Sequence, residues 1–163
     1  MNEVQTMINH KRLDIETIKS FDMLIENLVL DGGNNLILID PLEQKRIGAH
    51  YGETHLCAAL LLRAKRDHNN HFLEIFDKLL NGILDHWTDK KLKNYHADFN
   101  NFALSIIYNN VDSVDKKTRI MQTLMGSDDS RNLTINWLPM KAYTNLTRFA
   151  YSKEKKYFDS AVN

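Results

Sequence analysis

One stretch decides the fold class of this chain: residues 72–83, FLEIFDKLLNGI. Its apolar side chains recur every three or four positions, which is the spacing that places side chains on one face of an α-helix. The residues that share this face are Phe72, Ile75, Phe76, Leu79, Leu80 and Ile83. So clean an apolar face predicts an amphipathic helix that packs against other helices.

Similar apolar stripes, separated by polar breaks, lie on both sides of this helix. Upstream, a stripe over 56–64 ends at the polar run Asp-His-Asn-Asn over 67–70. Downstream, a polar segment over 85–96 is followed by another stripe over 99–107. Two stripes joined by a short polar break are typical of a helical hairpin, with its two helices antiparallel.

The same pattern continues to the last residues. Ser113 is a suitable N-cap for a helix that stops at Gly126. Two more helices are predicted over 138–150 and 153–162, and Pro139 falls in a first turn, where it has no intrahelical amide bond to lose.

The chain is predicted to be a single domain over 1–163. Residues 50–163 supply three stacked antiparallel hairpins, which is an all-α architecture. Residues 1–49 supply a first helix over about 14–30 and a connecting segment in which 36–41 are extended. No strand is expected to pair with that extended segment.

The hairpins are expected to be repeats of one structural unit. Segment 56–77 aligns with segment 138–159 without a gap, at a constant offset of 82 residues. The identical pairs are Leu56 and Leu138, Arg66 and Arg148, Phe76 and Phe158, and Asp77 and Asp159. The hairpin near residue 99 lies about halfway between, as a repeat requires.

The last predicted helix, over 153–162, carries an apolar stripe without a polar outer face. Stacked hairpins bury their faces on their neighbours, and terminal units normally have a polar outer side. We therefore expect the chain to be part of a longer protein whose C-terminal region covers the last hairpin, or a partner chain to cover it.

Composition excludes several classes of protein. Of the 163 residues, 43% are hydrophobic and 26% charged, which excludes a disordered tail and a disulfide-rich miniprotein. The 21 basic and 21 acidic residues balance, so no nucleic-acid partner is predicted. Cys57, as the single cysteine, is expected to be a small buried thiol. Neither a signal-peptide core nor a membrane-spanning run is visible, so we expect a cytoplasmic protein without a membrane partner.

Polar residues are concentrated where the first helix of each hairpin begins. If those helices lie side by side, the three polar clusters converge on one edge and line a cleft, where free helix N–H groups attract anions. We predict a functional site there. Its candidate catalytic residues are Tyr51, Glu53, His55, His96 and Asp98, and its candidate substrate-binding residues are His50, Asn100, Asn101, Asn136 and Trp137.

A structural role is open for the same residues. The carboxylates and asparagines of the clusters are typical of helix starts, where they cap free N–H groups. His50, His55 and His96 lack the spacing of a zinc motif, so neither a metal nor a cofactor is predicted. The clustering, more than any single residue, indicates a site.

The layout resembles the α/α-toroid superfamily of carbohydrate-active proteins, in which helical hairpins wind into a ring. The resemblance covers about 40–163 and rests on three segments: HYGETH at 50–55, HADFNNFAL at 96–104 and NWL at 136–138. It implies that the chain is part of an α/α toroid that processes glycans. Its partner would be an oligosaccharide or a polysaccharide.

The resemblance implies two alternative reactions and leaves enzymatic activity open, because a complete ring needs more hairpins than three. In a polysaccharide lyase of this type, Asn or His neutralises a uronate carboxylate while Tyr or His removes the proton from the adjacent carbon. The residues available for that reaction are Asn100, Asn101, Tyr51, His55 and His96. A glycoside hydrolase instead needs two carboxylates, for which Glu53 and Asp98 are the pair.

The competing hypothesis is a non-catalytic helical-repeat module that binds a protein or peptide. Helical repeats commonly present extended binding surfaces, and a balanced net charge is compatible with that role. In this case the polar clusters only cap helices, and replacing them by alanine lowers stability without affecting glycan binding.

Overall fold

The computed structural model describes residues 19, 21–40, 42–46, 52–88, 97–127 and 137–162. Over this part the chain is mostly helical, with one small two-stranded sheet. The elements in chain order are α1 (described over 21–26), β1 (Leu28–Leu30), β2 (Leu36–Leu38), α2 (Gly52–Asp67), α3 (Asn70–Thr88), α4 (Ala97–Asn110), α5 (Val114–Gly126), α6 (Leu138–Ser152) and α7 (Lys155–Val162). The helices predicted between 56 and 162 are present, with boundaries shifted by a few residues.

Helices α2 and α3 form an antiparallel hairpin around a two-residue turn. The Cys57 Sγ atom lies 3.9 Å from the carbonyl oxygen of Phe76. Farther along α2, the guanidinium of Arg63 lies over the ring of Phe72, 4.9 Å from its centroid. Because the contact moves forward along α2 as it moves backward along α3, the two helices run in opposite directions.

The first helices of the three hairpins, α2, α4 and α6, run parallel and pack side by side. Near the helix starts, Thr54 of α2 contacts Asn100 of α4, and Phe99 of α4 contacts Trp137, the N-cap of α6. Near the helix ends, Lys65 of α2 contacts Asp112, two residues after α4, and Asn109 of α4 contacts Thr147 of α6. These three helices form one layer, which we call the inner layer.

Helices α3 and α5 form a second layer and are also parallel to each other. Arg119 of α5 donates to Asn81 at 2.7 Å and to Asp85 at 2.8 Å, and Lys116 one turn earlier pairs with Asp77 at 2.5 Å. The core lies where the layers meet. Its fully buried members include Leu60, Leu80, Ile83, Leu104, Ile107 and Ile120.

The hairpins recur at a different offset from the one that the sequence alignment used. Helix α6 begins 86 residues after α2, at Leu138 against Gly52, and α7 begins 85 residues after α3. The alignment offset of 82 is shorter by about one helical turn, which is 3.6 residues. A shift of one turn keeps the same side chains on the same face, so apolar stripes match almost equally well at either offset.

The segment before α2 differs from the prediction. The described part of α1 ends at residue 26, and β1 pairs with β2 in an antiparallel register, with Val29 opposite Ile37. The predictions of a helix reaching residue 30 and of an extended segment without a partner strand were therefore wrong. The hairpin turns at Gly32, whose φ of +94° favours glycine, and the Gly33 N–H donates to the Asp31 carboxylate at 3.1 Å.

The small sheet packs against α3 at Gly82. A Cβ atom at this position would lie 2.5 Å from the carbonyl oxygen of Leu36, so only a residue without a side chain lets β2 approach so closely. Beside this contact, the Asn35 side chain donates to the Asp85 carboxylate at 3.0 Å. Leu38, at the end of β2, is fully buried in the core.

Two local predictions about helix ends are confirmed. Ser113 is the N-cap of α5, and its side chain accepts a hydrogen bond from the backbone N–H of Lys116 at 3.4 Å. Pro139 lies in the first turn of α6. Helix α6 ends at Ser152, and its C-cap Lys153 adopts the left-handed conformation (φ 61°) and leads directly into α7.

Candidate functional site

The first turns of α2, α4 and α6 lie at one edge of the inner layer because the three helices are parallel. We call this region the N-terminal edge: residues 52–55, 97–101 and 137–141. Within it, the Thr54 hydroxyl donates to the side-chain oxygen of Asn100 at 2.7 Å, and both side chains are fully buried. The structure therefore uses the Asn100 side chain to join α4 to α2.

Three aromatic rings follow one another along the N-terminal edge. The ring of His55 lies 6.4 Å from that of Phe99, and the edge of Phe99 meets Trp137 at 5.1 Å between centroids. Edge-to-face pairs of this kind stabilise the contact beyond the burial of their area. Two predicted site residues, His55 and Trp137, thus belong to one row of rings that crosses all three inner helices.

Glu53 is fully buried, and its carboxylate contacts the guanidinium of Arg46. One oxygen accepts the Leu38 N–H at 2.9 Å and the Arg46 Nε at 3.2 Å, and the other accepts the Arg46 Nη2 at 3.0 Å. The same Nη2 donates to the carbonyl oxygen of Gly82 at 3.0 Å. This carboxylate therefore links the small sheet to α2 and α3.

Asp98, the other carboxylate of the predicted hydrolase pair, is also buried at the start of α4. Its nearer oxygen lies 3.9 Å from the Nζ atom of Lys141, a side chain that is only 11% exposed. Each predicted catalytic carboxylate thus lies beside a basic residue that the sequence analysis did not assign to the site. Both pairs connect neighbouring elements of the fold.

Asn101 and Thr144 are buried polar side chains without hydrogen bonds in the described structure. Both polar atoms of the Asn101 amide and the Thr144 hydroxyl oxygen lack a partner. Asn101 lies about one turn after Asp98 on α4, and Thr144 lies about one turn after Lys141 on α6, so both fall where these helices pack together. Because buried polar atoms are usually paired, these atoms have hydrogen-bonding capacity that the described residues leave unused.

Four of the predicted site residues, His50, Tyr51, His96 and Asn136, lie outside the described residues. The lyase roles of Tyr51 and His96, and substrate binding by His50 and Asn136, therefore stay predictions. Among the residues that are described, no three His, Cys, Asp or Glu side chains lie close enough together to share a metal ion.

Arg148 on α6 is a buried arginine whose role was not predicted from the sequence. The guanidinium of Arg148 donates to the carbonyl oxygen of Leu124 at 2.9 and 3.1 Å, to that of Ser127 at 3.0 Å, and to the Asn145 side chain at 2.9 Å. A cation at a helix C-terminus is stabilised by the free carbonyl groups and by the helix dipole. Arg148 therefore caps the end of α5 from the neighbouring hairpin. The polar spacing of Lys141, Thr144 and Arg148 is the signal that could have revealed this inward face.

Helix α6 has its polar side inside and its apolar side outside. The buried residues of this helix are Thr144, Asn145, Thr147 and Arg148. On its outward side are four exposed residues at intervals of four, three and four positions: Pro139, Tyr143, Leu146 and Ala150. We call these four residues the α6 stripe. Leu138 and Tyr151 beside the stripe, and Phe158 and Val162 on α7, are exposed as well. A surface helix normally has the opposite arrangement.

A small cavity of about 240 Å³ lies at the opposite edge of the inner layer. Its lining includes Leu61, Leu73, Phe76 and Val111 and two ion pairs, Lys65 with Asp112 at 3.1 Å and Lys116 with Asp77 at 2.5 Å. Each of these lysines is thus paired with an aspartate. The volume is below the roughly 300–1,000 Å³ of typical small-molecule sites.

The Cys57 thiol lies in the core, as predicted, and is fully buried. Burial raises the pKa of this thiol well above its ordinary value, and the negative charges of Glu53 and Asp77 act in the same direction. The nearby Lys116 opposes them without reversing the result. Since the thiolate is the nucleophilic form, Cys57 is a structural and unreactive cysteine.

Comparison of the chain with known protein families, with curated proteins and with solved structures found no match in any of the three. Within the described residues, none of the helices is long and apolar enough to cross a lipid bilayer.

Proposed function

We propose that this protein is a non-catalytic helical-repeat module that binds a protein partner through the outward side of its last hairpin. The observation that carries the proposal is the inverted polarity of α6. Large exposed apolar patches mark interaction surfaces in proteins of this size. As part of this proposal, the protein is located in the cytoplasm, as the sequence predicts.

The inverted polarity of α6 supports a protein partner because burial of its exposed apolar side chains against that partner is favourable. Leu146, at the middle of the α6 stripe, is 45% exposed, and Tyr151 beside the stripe is 54% exposed. Burial of apolar surface contributes about 25 cal/mol for each Å². The helix keeps this surface outside because its inward side is occupied by Lys141 and Arg148, which contact α4 and α5.

The positions of the candidate catalytic residues support a binding role over a catalytic one. A general acid or base has to reach the proton that it transfers, directly or through one water. Glu53 and Asp98 are instead buried beside basic side chains, and Asn100 is held by Thr54. Their contacts join helices of the stack, which is the role expected of polar residues at helix starts.

The experiment is an affinity capture from cells that express the protein, with the wild type and two variants as baits. Leu146→Asp places a charge in the α6 stripe, whereas Val114→Asp places the same charge on α5, at a residue that is 78% exposed. We expect a partner to be retained by the wild type and by Val114→Asp and lost by Leu146→Asp. Circular dichroism of the three baits checks that each is folded. Equal retention by all three baits contradicts the proposal.

A second candidate function is glycan processing at the N-terminal edge of a chain that forms part of an α/α toroid. It is favoured by the row of rings from His55 to Trp137 and by the unpaired amide of Asn101, which lies in the same turn of α4 as Phe99. The test is titration of uronate and neutral oligosaccharides while the fluorescence of the two tryptophans, Trp87 and Trp137, is recorded, together with an assay for unsaturated product. Binding that is lost in Asn101→Ala supports this function, and unchanged fluorescence at millimolar glycan contradicts it.

A further inference from the structure

We infer that the partner at the α6 stripe is a second copy of this chain, bound face to face across a two-fold axis that passes near Leu146. This inference rests on the proposed function of the same surface. It follows from three features of the fold: which end of the stack is open, which charges the surface carries, and how much apolar area it offers.

The stack has one covered end and one open end. On α2, Arg63 lies on the opposite side from Thr54 and Lys65, which contact the α4 region. On that opposite side, Arg63 lies 4.7 Å from the ring of Phe21 and 4.9 Å from that of Phe72, and the two rings meet edge to face at 5.8 Å. Phe21 is itself buried, so α1 covers this end of the inner layer.

A head-to-tail contact between copies would place the uncharged α6 stripe against α1, which exposes the charged Asp22 and Glu26 beside the apolar Met23 and Leu24. Such heterologous contacts would build open filaments or rings, whereas a face that binds its own copy gives a closed dimer. The open face of the last hairpin therefore pairs with the same face of a second chain.

The α6 stripe has no charged residue, which suits a contact with itself. Residues near a two-fold axis lie next to their own copies, so any charge there would meet a like charge. The charged residues of α6 are Lys141 and Arg148, and both point inward to α4 and α5. An acidic or basic partner, in contrast, would find no opposite charge on this stripe.

The apolar area is sufficient for a weak but specific dimer. Leu138, Tyr143, Leu146 and Tyr151 are 37–54% exposed. Since large side chains bury about 150–250 Å² each, these four together with Pro139 and Ala150 expose roughly 500 Å² per copy. Two copies then bury roughly 1,000 Å², the lower limit for a specific interface, and interfaces of this size are typical of weak complexes.

Sedimentation equilibrium over roughly 5–500 μM protein tests the inference in the range where such a dimer forms. The mass of the wild type should rise with concentration from 19.0 kDa to twice that value and stop there. Leu146→Asp should stay monomeric over the whole range. Val114→Asp is the matched control and should dimerise like the wild type.

The two-fold arrangement has its own test. Leu146→Asp and Leu146→Lys should each be monomeric, and an equimolar mixture should form a heterodimer because opposite charges then meet across the axis. A mixture that stays monomeric, although the wild type dimerises, overturns the two-fold contact at Leu146.

Failure of this inference can be told apart from failure of the proposed function. A wild type that stays monomeric at every concentration overturns the second copy as the partner. If the same protein still retains a partner that Leu146→Asp loses, the binding function stands with a different occupant. If it retains none, both proposals fail.

Discussion

Replacement of Glu53 by Gln distinguishes a structural carboxylate from a catalytic one. The side chain is fully buried, and its oxygens accept the Leu38 N–H and the Arg46 guanidinium at 2.9–3.2 Å. Gln has nearly the same size, but it removes the charge and replaces an acceptor oxygen by an NH₂ group. The guanidinium of Arg46 then faces another donor and loses its counter-charge.

The size of the effect follows from these contacts. Hydrogen bonds to charged groups contribute about 1.5–3 kcal/mol each, and removal of one partner from a buried ion pair costs about 3–5 kcal/mol. The Arg46 side chain is 22% exposed, so water compensates part of the loss. We therefore expect the Glu53→Gln substitution to lower the free energy of unfolding by about 2–4 kcal/mol.

The assay is urea unfolding followed by circular dichroism at neutral pH. Glu43→Gln is the matched control, since the Glu43 carboxylate is 68% exposed and lies 3.6 Å from an exposed Lys45. Its effect should stay within about 0.5 kcal/mol. A double-mutant cycle with Arg46→Met should give a coupling energy above about 1 kcal/mol. The structural role is refuted if Glu53→Gln is as stable as Glu43→Gln, or if the cycle is additive.

Three further predictions use the same unfolding assay. Gly82→Ala should lower stability by about 1–3 kcal/mol because its Cβ would meet the β2 backbone. In the control Gly126→Ala, the added Cβ meets nothing within 4 Å, so stability should not fall. Equal losses in the two variants would contradict the steric argument. Arg148→Met should lower stability by about 2–4 kcal/mol because it leaves buried carbonyl groups unpaired. Arg66→Met is the control, since the Arg66 side chain is exposed, and it should leave stability unchanged. Similar unfolding curves for the two variants would exclude the capping role of Arg148. Because burial raises the pKa of Cys57, its thiol stays neutral in the folded protein at pH values where the thiol of the unfolded chain ionises. The contribution of the neutral thiol to folding stability is complete below pH 9.0 and is lost as the pH rises above it. The stability of the wild type should therefore fall more steeply with alkaline pH than that of Cys57→Ala, and parallel profiles would contradict this.

The helices were predictable from the sequence because their signals are local. The stripe over 72–83 and the caps at Ser113 and Pro139 depend on residues within a few positions of one another. The small sheet was missed because Leu28 continues the helical spacing of the residues before it. What makes Leu28–Leu30 a strand is its pairing with β2 and the packing of that sheet on α3 at Gly82, some fifty residues away.

The candidate site was predictable only as a set of neighbouring helix starts. Parallel inner helices place their first turns together, and the residue types were visible in the sequence. The partner of each polar side chain was not, because a carboxylate at a helix start can equally cap N–H groups, bind substrate or pair with a cation. Only the fold brings Arg46 to Glu53 and Lys141 to Asp98.

The pattern of apolar and polar residues in α6 does not determine which side of the helix faces the core. This helix carries an apolar stripe at Pro139, Tyr143 and Leu146 and a polar one that includes Lys141 and Arg148. Hydrophobic periodicity alone predicts that the apolar stripe faces the core. The observed orientation is the reverse because the polar stripe finds specific partners, in Asp98 and in the free carbonyl groups at the end of α5.

The two sides of α6 cannot both be satisfied within one copy of the described fold. A half-turn rotation of the helix would bury the α6 stripe, whose roughly 300 Å² contribute about 7 kcal/mol at about 25 cal/mol for each Å². It would also unpair the hydrogen bonds of Arg148, at about 1.5–3 kcal/mol each, and leave Asp98 buried without its lysine. These losses are at least as large as the gain, so rotation does not stabilise the fold. A partner that covers the stripe adds the apolar burial and keeps every inward contact, and this is why the inverted polarity of α6 argues for an interface.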